Sequence, residues 1–179
     1  MADRGTTPAL RRARFAAALG LALVASGADA WLIPGHRRLT IEAIGTLPSA
    51  VPAFFREGAA TAGDAAADPD LLRNGGTPAL RDRISPEHFL DLELLRGSAL
   101  PDRRSDYLRL LGRLGVDAAG VGAVPYAIVE HAEWLALCFA EHRRWPAHPG
   151  IRSKCLLIAG WLSHYAATFA GIPDAASTP

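Results

Sequence analysis

Residues 151–170 read IRSKCLLIAGWLSHYAATFA, from Ile151 to Ala170, and the fold class follows from how that stretch is read. Leu157, Ile158, Trp161, Leu162 and Tyr165 cover most of the circumference of a helical wheel, and no period-two alternation competes with them. A helix that is apolar nearly all round belongs at the centre of a fold. His164 therefore faces inward, with Gly160 one turn before it, and needs a partner. A neutral ring bonded to a backbone carbonyl is one reading of it, and a metal ligand is the other.

Outward from this segment the pattern stays helical. Pro146 and Pro149 break the chain before it, and Pro125 suits the first turn of a long preceding helix carrying Ile128, Ala132, Leu135 and Phe139 on one face. Tyr107, Leu110, Leu111 and Leu114 form a stripe at i, i+3, i+4 and i+7, weakened at its end by Gly112 and Gly115. Leu39, Ala43, Ile44 and Leu47 recur at helical spacing until Pro48. Residues 58–67 are rich in Ala and Gly, so a helix of small residues and a close-packed loop both remain open. Residues 74–78 and 95–102 are turn-rich. The expectation is an all-α, single compact multi-helix domain over residues 31–179.

Residues 1–30 have the build of a secretory signal. Arg4, Arg11, Arg12 and Arg14 precede Phe15 to Ser26, an apolar run of 12 residues. Ala28-Asp29-Ala30 then places small residues at both cleavage-recognition positions. Twelve residues are too few to span a bilayer, so a cleaved signal is expected, leaving no membrane span and a secreted or periplasmic product. Cleavage after Ala30 makes Trp31 the first of 149 residues, with a free α-amine.

That mature segment is nearly neutral. Removing four Arg and two Asp from 19 basic and 18 acidic residues leaves 15 and 16. No basic surplus supports tight, electrostatically driven binding of nucleic acid, although a nuclease whose metal ions meet the phosphate stays open. Cys138 and Cys155 are the only cysteines. Oxidising surroundings favour a disulfide between them, and two small buried hydrophobes are the competing reading.

Four places offer metal-ligand chemistry. Trp31 with His36 pairs an α-amine, whose pKa of roughly 7.7–8.0 leaves it free to ligate near neutrality, with an imidazole. Asp68-Pro69-Asp70 is carboxylate-rich, and a helix N-cap competes with ligation there. Glu87-His88-Phe89-Leu90-Asp91 sets a histidine among acidic and apolar residues, where a carboxylate could hold the second ring nitrogen. His164-Tyr165 closes the series.

In their order and spacing, Trp31 to His36, then Asp70-x-x-Arg73, His88-Phe89-x-Asp91 and His164-Tyr165 resemble the zinc-dependent phospholipase C and fungal-type single-strand nuclease superfamily. Val124-Pro125-Tyr126 is similar to a Leu-Pro-aromatic stretch of its bacterial members. The resemblance covers residues 31 to about 167 and implies an exported, all-α phosphodiesterase holding up to three zinc ions. It implies Trp31 and His36 on one zinc, and Asp70, His88 and His164 on a second, with Asp68 as the alternative to Asp70. Asp91 would orient a water or a nitrogen of His88. The implied substrate is a phosphodiester, either single-stranded nucleic acid or a phospholipid head group, with the nuclease side slightly ahead. His131, His142 and His148 match no ligand position and are expected at the surface.

The series then departs from the family. Four residues after His164 the family has an aspartate that bridges two zinc ions, and this chain has Thr168. Pro173 falls about one residue late, Asp174 stands near where a histidine is expected, and the later ligands are missing. A third zinc has no ligands here, and one or two are supported. A shifted reading frame after Ala167 and a divergent member that has shed catalysis, keeping at most one or two zinc sites, are both consistent with this ending.

Overall fold

The structure is a computed structural model that describes residues 33–170. The expected signal, Trp31 and the tail from residue 171 lie outside the described residues. Among the described residues are nine α-helices and two 3₁₀ turns, with no strand. The fold is all-α, and its one β feature there is a bridge between Leu90 and Gly122. No described helix is long and apolar enough to cross a membrane.

The helices are α1 (33–45), α2 (Ala53–Glu57), α3 (Ala59–Ala65), α4 (Asp68–Gly75), α5 (Pro78–Ile84), α6 (Arg104–Leu114), α7 (Ala118–Val121), α8 (Val124–Arg144) and α9 (Pro149–Phe169). The 3₁₀ turns are Ser85–His88 and Glu93–Leu95. Both long helices begin with proline in the first turn, where a missing N–H costs nothing. This starts α9 at Pro149, two residues before the apolar pattern does.

Helix α9 is the centre, packing on α8, α3, α2 and α4. One side joins Cys155, Leu156, Ile158 and Ala159 to Ile44, Phe54 and Phe55. Tyr165 enters a second cluster with Val124 and Ala127, flanked by Trp161. A third cluster, of Leu95, Tyr107, Leu111, Val121 and Tyr126, holds α6 and α7 against the start of α8. Cys138 on α8 and Cys155 on α9 are free, buried thiols in the same core cluster. Burial pushes Cys155 up to about 11 and Cys138 upward, so both are protonated at neutral pH.

The Ala- and Gly-rich segment is a helix, and its small side chains set how close α9 comes. A Cβ on Gly160 would sit 2.3 Å from the Ala62 carbonyl oxygen and 2.9 Å from the Ala66 nitrogen. Ala62 and Ala66 have no exposed surface. This contact delivers the end of α3, and the α4 start just after it, to the middle of α9.

Several expected faces differ in detail. Ala43 and Ala132 are exposed, and Thr40 joins Ile44 as a buried residue on α1. Thr40 Oγ1 donates to the His36 carbonyl and meets the Ser163 hydroxyl, each at 2.8 Å, tying α1 to α9. Leu157 is 46 % exposed, so α9 is central without being enclosed. His142 is buried rather than at the surface, because the Phe54 ring of α2 packs against it. His131 is partly buried and stacks on Trp161, and His148 is exposed as expected.

Candidate metal centre

Helix α4 supplies the carboxylate. Its N-cap is Ala67, and no side chain caps it, so neither Asp68 nor Asp70 plays the capping role. Both lie in the first turn, where the positive end of the helix dipole favours ionised carboxylates. Asp68 accepts a hydrogen bond from Trp161 Nε1 at 3.3 Å. Asp70 is 2 % exposed and turns inward.

Three imidazoles from three other elements surround it. Oδ1 of Asp70 lies 3.5 Å from Nε2 of His88, on the first 3₁₀ turn, and 3.9 Å from Nε2 of His164 on α9. Oδ2 lies 3.8 Å from Nε2 of His36 on α1. Ligand atoms of His36, Asp70 and His164 all fall within 4.8 Å of one another. The His36 and His164 ring centroids are 4.2 Å apart, and those of His88 and His164 are 5.0 Å apart.

The second nitrogens fix the tautomers. His88 Nδ1 faces the Ile84 carbonyl at 3.0 Å, and His164 Nδ1 faces the Ala66 carbonyl at 3.0 Å. A carbonyl only accepts, so each Nδ1 carries the proton, and a neutral ring then aims a bare lone pair from Nε2. Burial first, then the nearby His36 and His88, lowers His164 to about 3 against the pull of Asp70. Its ring is neutral at pH 7. For Asp70 burial pushes the pKa up, but the surrounding His88, His164 and His36 outweigh it and hold it below the ordinary carboxylate range.

Lone pairs on nitrogen therefore converge on lone pairs on oxygen. Both Asp70 oxygens and Nε2 of His88 and His164 are buried and lack hydrogen-bond partners. Such atoms typically cost about 1–3 kcal/mol each when left unmade. A cation between them removes the conflict. Zinc bonds of about 2.0–2.1 Å put the corners of a tetrahedron roughly 3.3 Å apart, and the N···O separations here are 3.5–3.9 Å, so small side-chain shifts inward would close the shell. The nitrogen and oxygen donors fit zinc, and Asp70 stands between His36 on one oxygen and His88 with His164 on the other.

The remaining expected site residues are placed elsewhere. Asp91 Oδ1 accepts from the Glu93 N–H at 3.1 Å, and the Ile84 carbonyl holds the His88 nitrogen that the sequence offers to Asp91. Thr168, one turn after His164, donates its hydroxyl to the His164 carbonyl at 3.0 Å and adds no charge to the centre. Trp31 lies outside the described residues.

Sequence reasoning passed over the supports. The Ile84 and Ala66 carbonyls carry no side-chain signal at all. Thr40 and Glu87 do, as polar residues at buried helical positions, and Glu87 is 3 % exposed. No family model matches the chain, and no curated protein or solved structure matches it either.

Proposed function

We propose that this chain is an exported, zinc-dependent phosphodiester hydrolase of the phospholipase C and single-strand nuclease type. It holds metal through His36, Asp70 and His164, whose ligand atoms converge, with His88 facing the same carboxylate and completing the centre. The supporting observation is the buried carboxylate of Asp70, unpartnered on both oxygens and faced by Nε2 atoms at 3.5–3.9 Å. Three protein ligands plus water form the minimal layout of a catalytic zinc.

Zinc, when bound, supplies Lewis acidity toward a phosphoryl oxygen and lowers the pKa of water to about 7. The chain's own residues supply orientation and charge. The Ile84 and Ala66 carbonyls hold two rings in the tautomer that leaves Nε2 free. Asp70 brings the one full negative charge among these four side chains. Single-stranded nucleic acid is the substrate class slightly favoured, through the resemblance of His88-Phe89-Leu90-Asp91.

A second reading has one observation in its favour. The Thr168 hydroxyl is bonded to the backbone where the family places a bridging carboxylate, which suits a non-catalytic helical protein keeping one or two zinc sites. Zinc content of the purified chain and chelator-sensitive hydrolysis of single-stranded DNA and a short-chain phosphatidylcholine separate the two. Stoichiometric zinc with turnover of either substrate supports the enzyme. Zinc without turnover selects the second reading, and a chain that takes up no zinc defeats the enzyme.

A further inference from the structure

Two buried carboxylates serve this region, and their surroundings are opposite. Asp70 has no hydrogen-bond partner on either oxygen. Glu87 is partnered on both: Oε2 accepts from the Tyr165 hydroxyl at 3.0 Å, and Oε1 accepts from Arg83 and, at 3.4 Å, from Arg104. Arg104 is itself held by Glu130 at 2.7 and 2.8 Å. Both oxygens are thus committed to partners within the protein, and the two arginines balance the charge. Its role lies in what it holds.

Chain position makes that role specific. Glu87 immediately precedes His88, and Tyr165 immediately follows His164. The single Tyr165–Glu87 hydrogen bond therefore joins the 3₁₀ turn carrying one imidazole to the helix carrying the other. The Tyr165 ring, with no exposed surface, lies edge-on to both imidazoles, its centroid 5.6 Å from that of His88 and 5.3 Å from that of His164. The carbonyl bonds at Nδ1 fix the rotation of each ring, but neither fixes the spacing between the two.

We propose that Tyr165, anchored by the buried carboxylate of Glu87, is a positioning residue that sets the separation of His88 and His164 in the metal centre. This rests on the zinc reading above. Tyr165 touches no metal in this scheme, and Glu87 acts only through it.

The test uses the full chain, stripped of metal and titrated with Zn²⁺ against a competing chelator, and with Co²⁺ to record the visible bands. Y165F keeps the ring and removes the hydroxyl. Its zinc affinity is expected to fall about tenfold or more, the size seen when a group orienting a metal ligand is lost. The Co²⁺ bands should shift, and metal-free helical content should stay unchanged. Glu87→Ala is expected to match that loss, and Glu87→Gln, which keeps an oxygen for the Tyr165 hydroxyl, to recover most of it. Y126F removes another largely buried tyrosine bond, to the Pro101 carbonyl at 2.7 Å, and should leave zinc affinity unchanged.

The inference is overturned if wild type binds zinc and Y165F binds it equally, with the same Co²⁺ spectrum. It also fails if Y126F weakens binding as much, or if Glu87→Gln is no better than Glu87→Ala. Should Y165F lose its helical content, the Glu87 pair decides. The zinc reading itself fails separately, if wild type takes up neither metal or if H164A binds as tightly as wild type.

Discussion

Asp70 is a buried carboxylate without a hydrogen-bond partner on either oxygen, faced by Nε2 of His88 and His164. That makes Asp70→Asn a sharp probe. The amide keeps the shape and removes the charge that holds the metal, so zinc should stabilise D70N far less than wild type. Urea unfolding with chelator and with zinc measures this, and a D70N chain that zinc stabilises as much as wild type removes Asp70 from the centre. His164 gives a second residue-scale expectation. Its folded pKa, lowered by burial to about 3 from 6.5, means the unfolded chain binds the extra proton first. Metal-free stability should therefore be fully present above pH 6.5 and fall as the pH drops from there toward 3, at about 1.4 kcal/mol per pH unit from this group. H164Q should remove that slope between pH 6 and 4, where Asp70 does not yet contribute. The four side chains meeting here were legible as types in a series. What holds them was not: the Ile84 and Ala66 carbonyls have no sequence signature, and the His88 nitrogen offered to Asp91 is taken by a backbone carbonyl.

At the scale of elements, the approach of α9 to α3 decides whether His164 reaches Asp70 at all. Gly160 permits that approach. Gly160→Ala should cost about 1–3 kcal/mol through overpacking and also weaken zinc binding, since α3 leads directly into the turn bearing Asp70. Gly112 on α6 is the internal contrast. A Cβ there meets nothing within 4 Å, so G112A should stabilise the chain by up to about 1 kcal/mol through helix propensity and leave zinc affinity alone. Equal effects of the two substitutions would sink the close-approach argument. The sequence made every long helix legible through its 3.6-residue period, and proline marked where α8 and α9 begin. It was a poorer guide to which small residues are covered. Ala43 and Ala132 sit on the apolar stripes yet face solvent, while Ala62 and Ala66 are sealed. The burial of an alanine is set by how near the neighbouring helix comes, and that distance is not written in the alanine.

For the whole molecule, the centre links four elements that are distant in the chain: α1, the start of α4, the first 3₁₀ turn and α9. A ligand that binds only the folded state stabilises it by roughly 2.7 kcal/mol at a hundredfold excess over its Kd, so zinc should raise the melting temperature and chelator should lower it again. The contribution of α1 to that linkage carries the last expectation. This helix is docked without metal through Thr40 to Ser163 and through Arg37 to Asp64 at 2.6 Å. It presents His36 to Oδ2 of Asp70, on the side away from His88. Trp31 precedes His36 by five residues, and the resemblance makes its α-amine a ligand on that same side. An amine ligates, whereas the amide nitrogen created by any preceding residue does not. A chain that begins at Trp31 should therefore bind zinc more tightly than one carrying residues before it, and H36A should erase most of the difference, because both ligands serve the Oδ2 side. Competition titrations of the four proteins measure this. Equal affinity for chains with and without residues ahead of Trp31 removes Trp31 from the centre, and an advantage that survives H36A places the terminal amine elsewhere than beside Asp70.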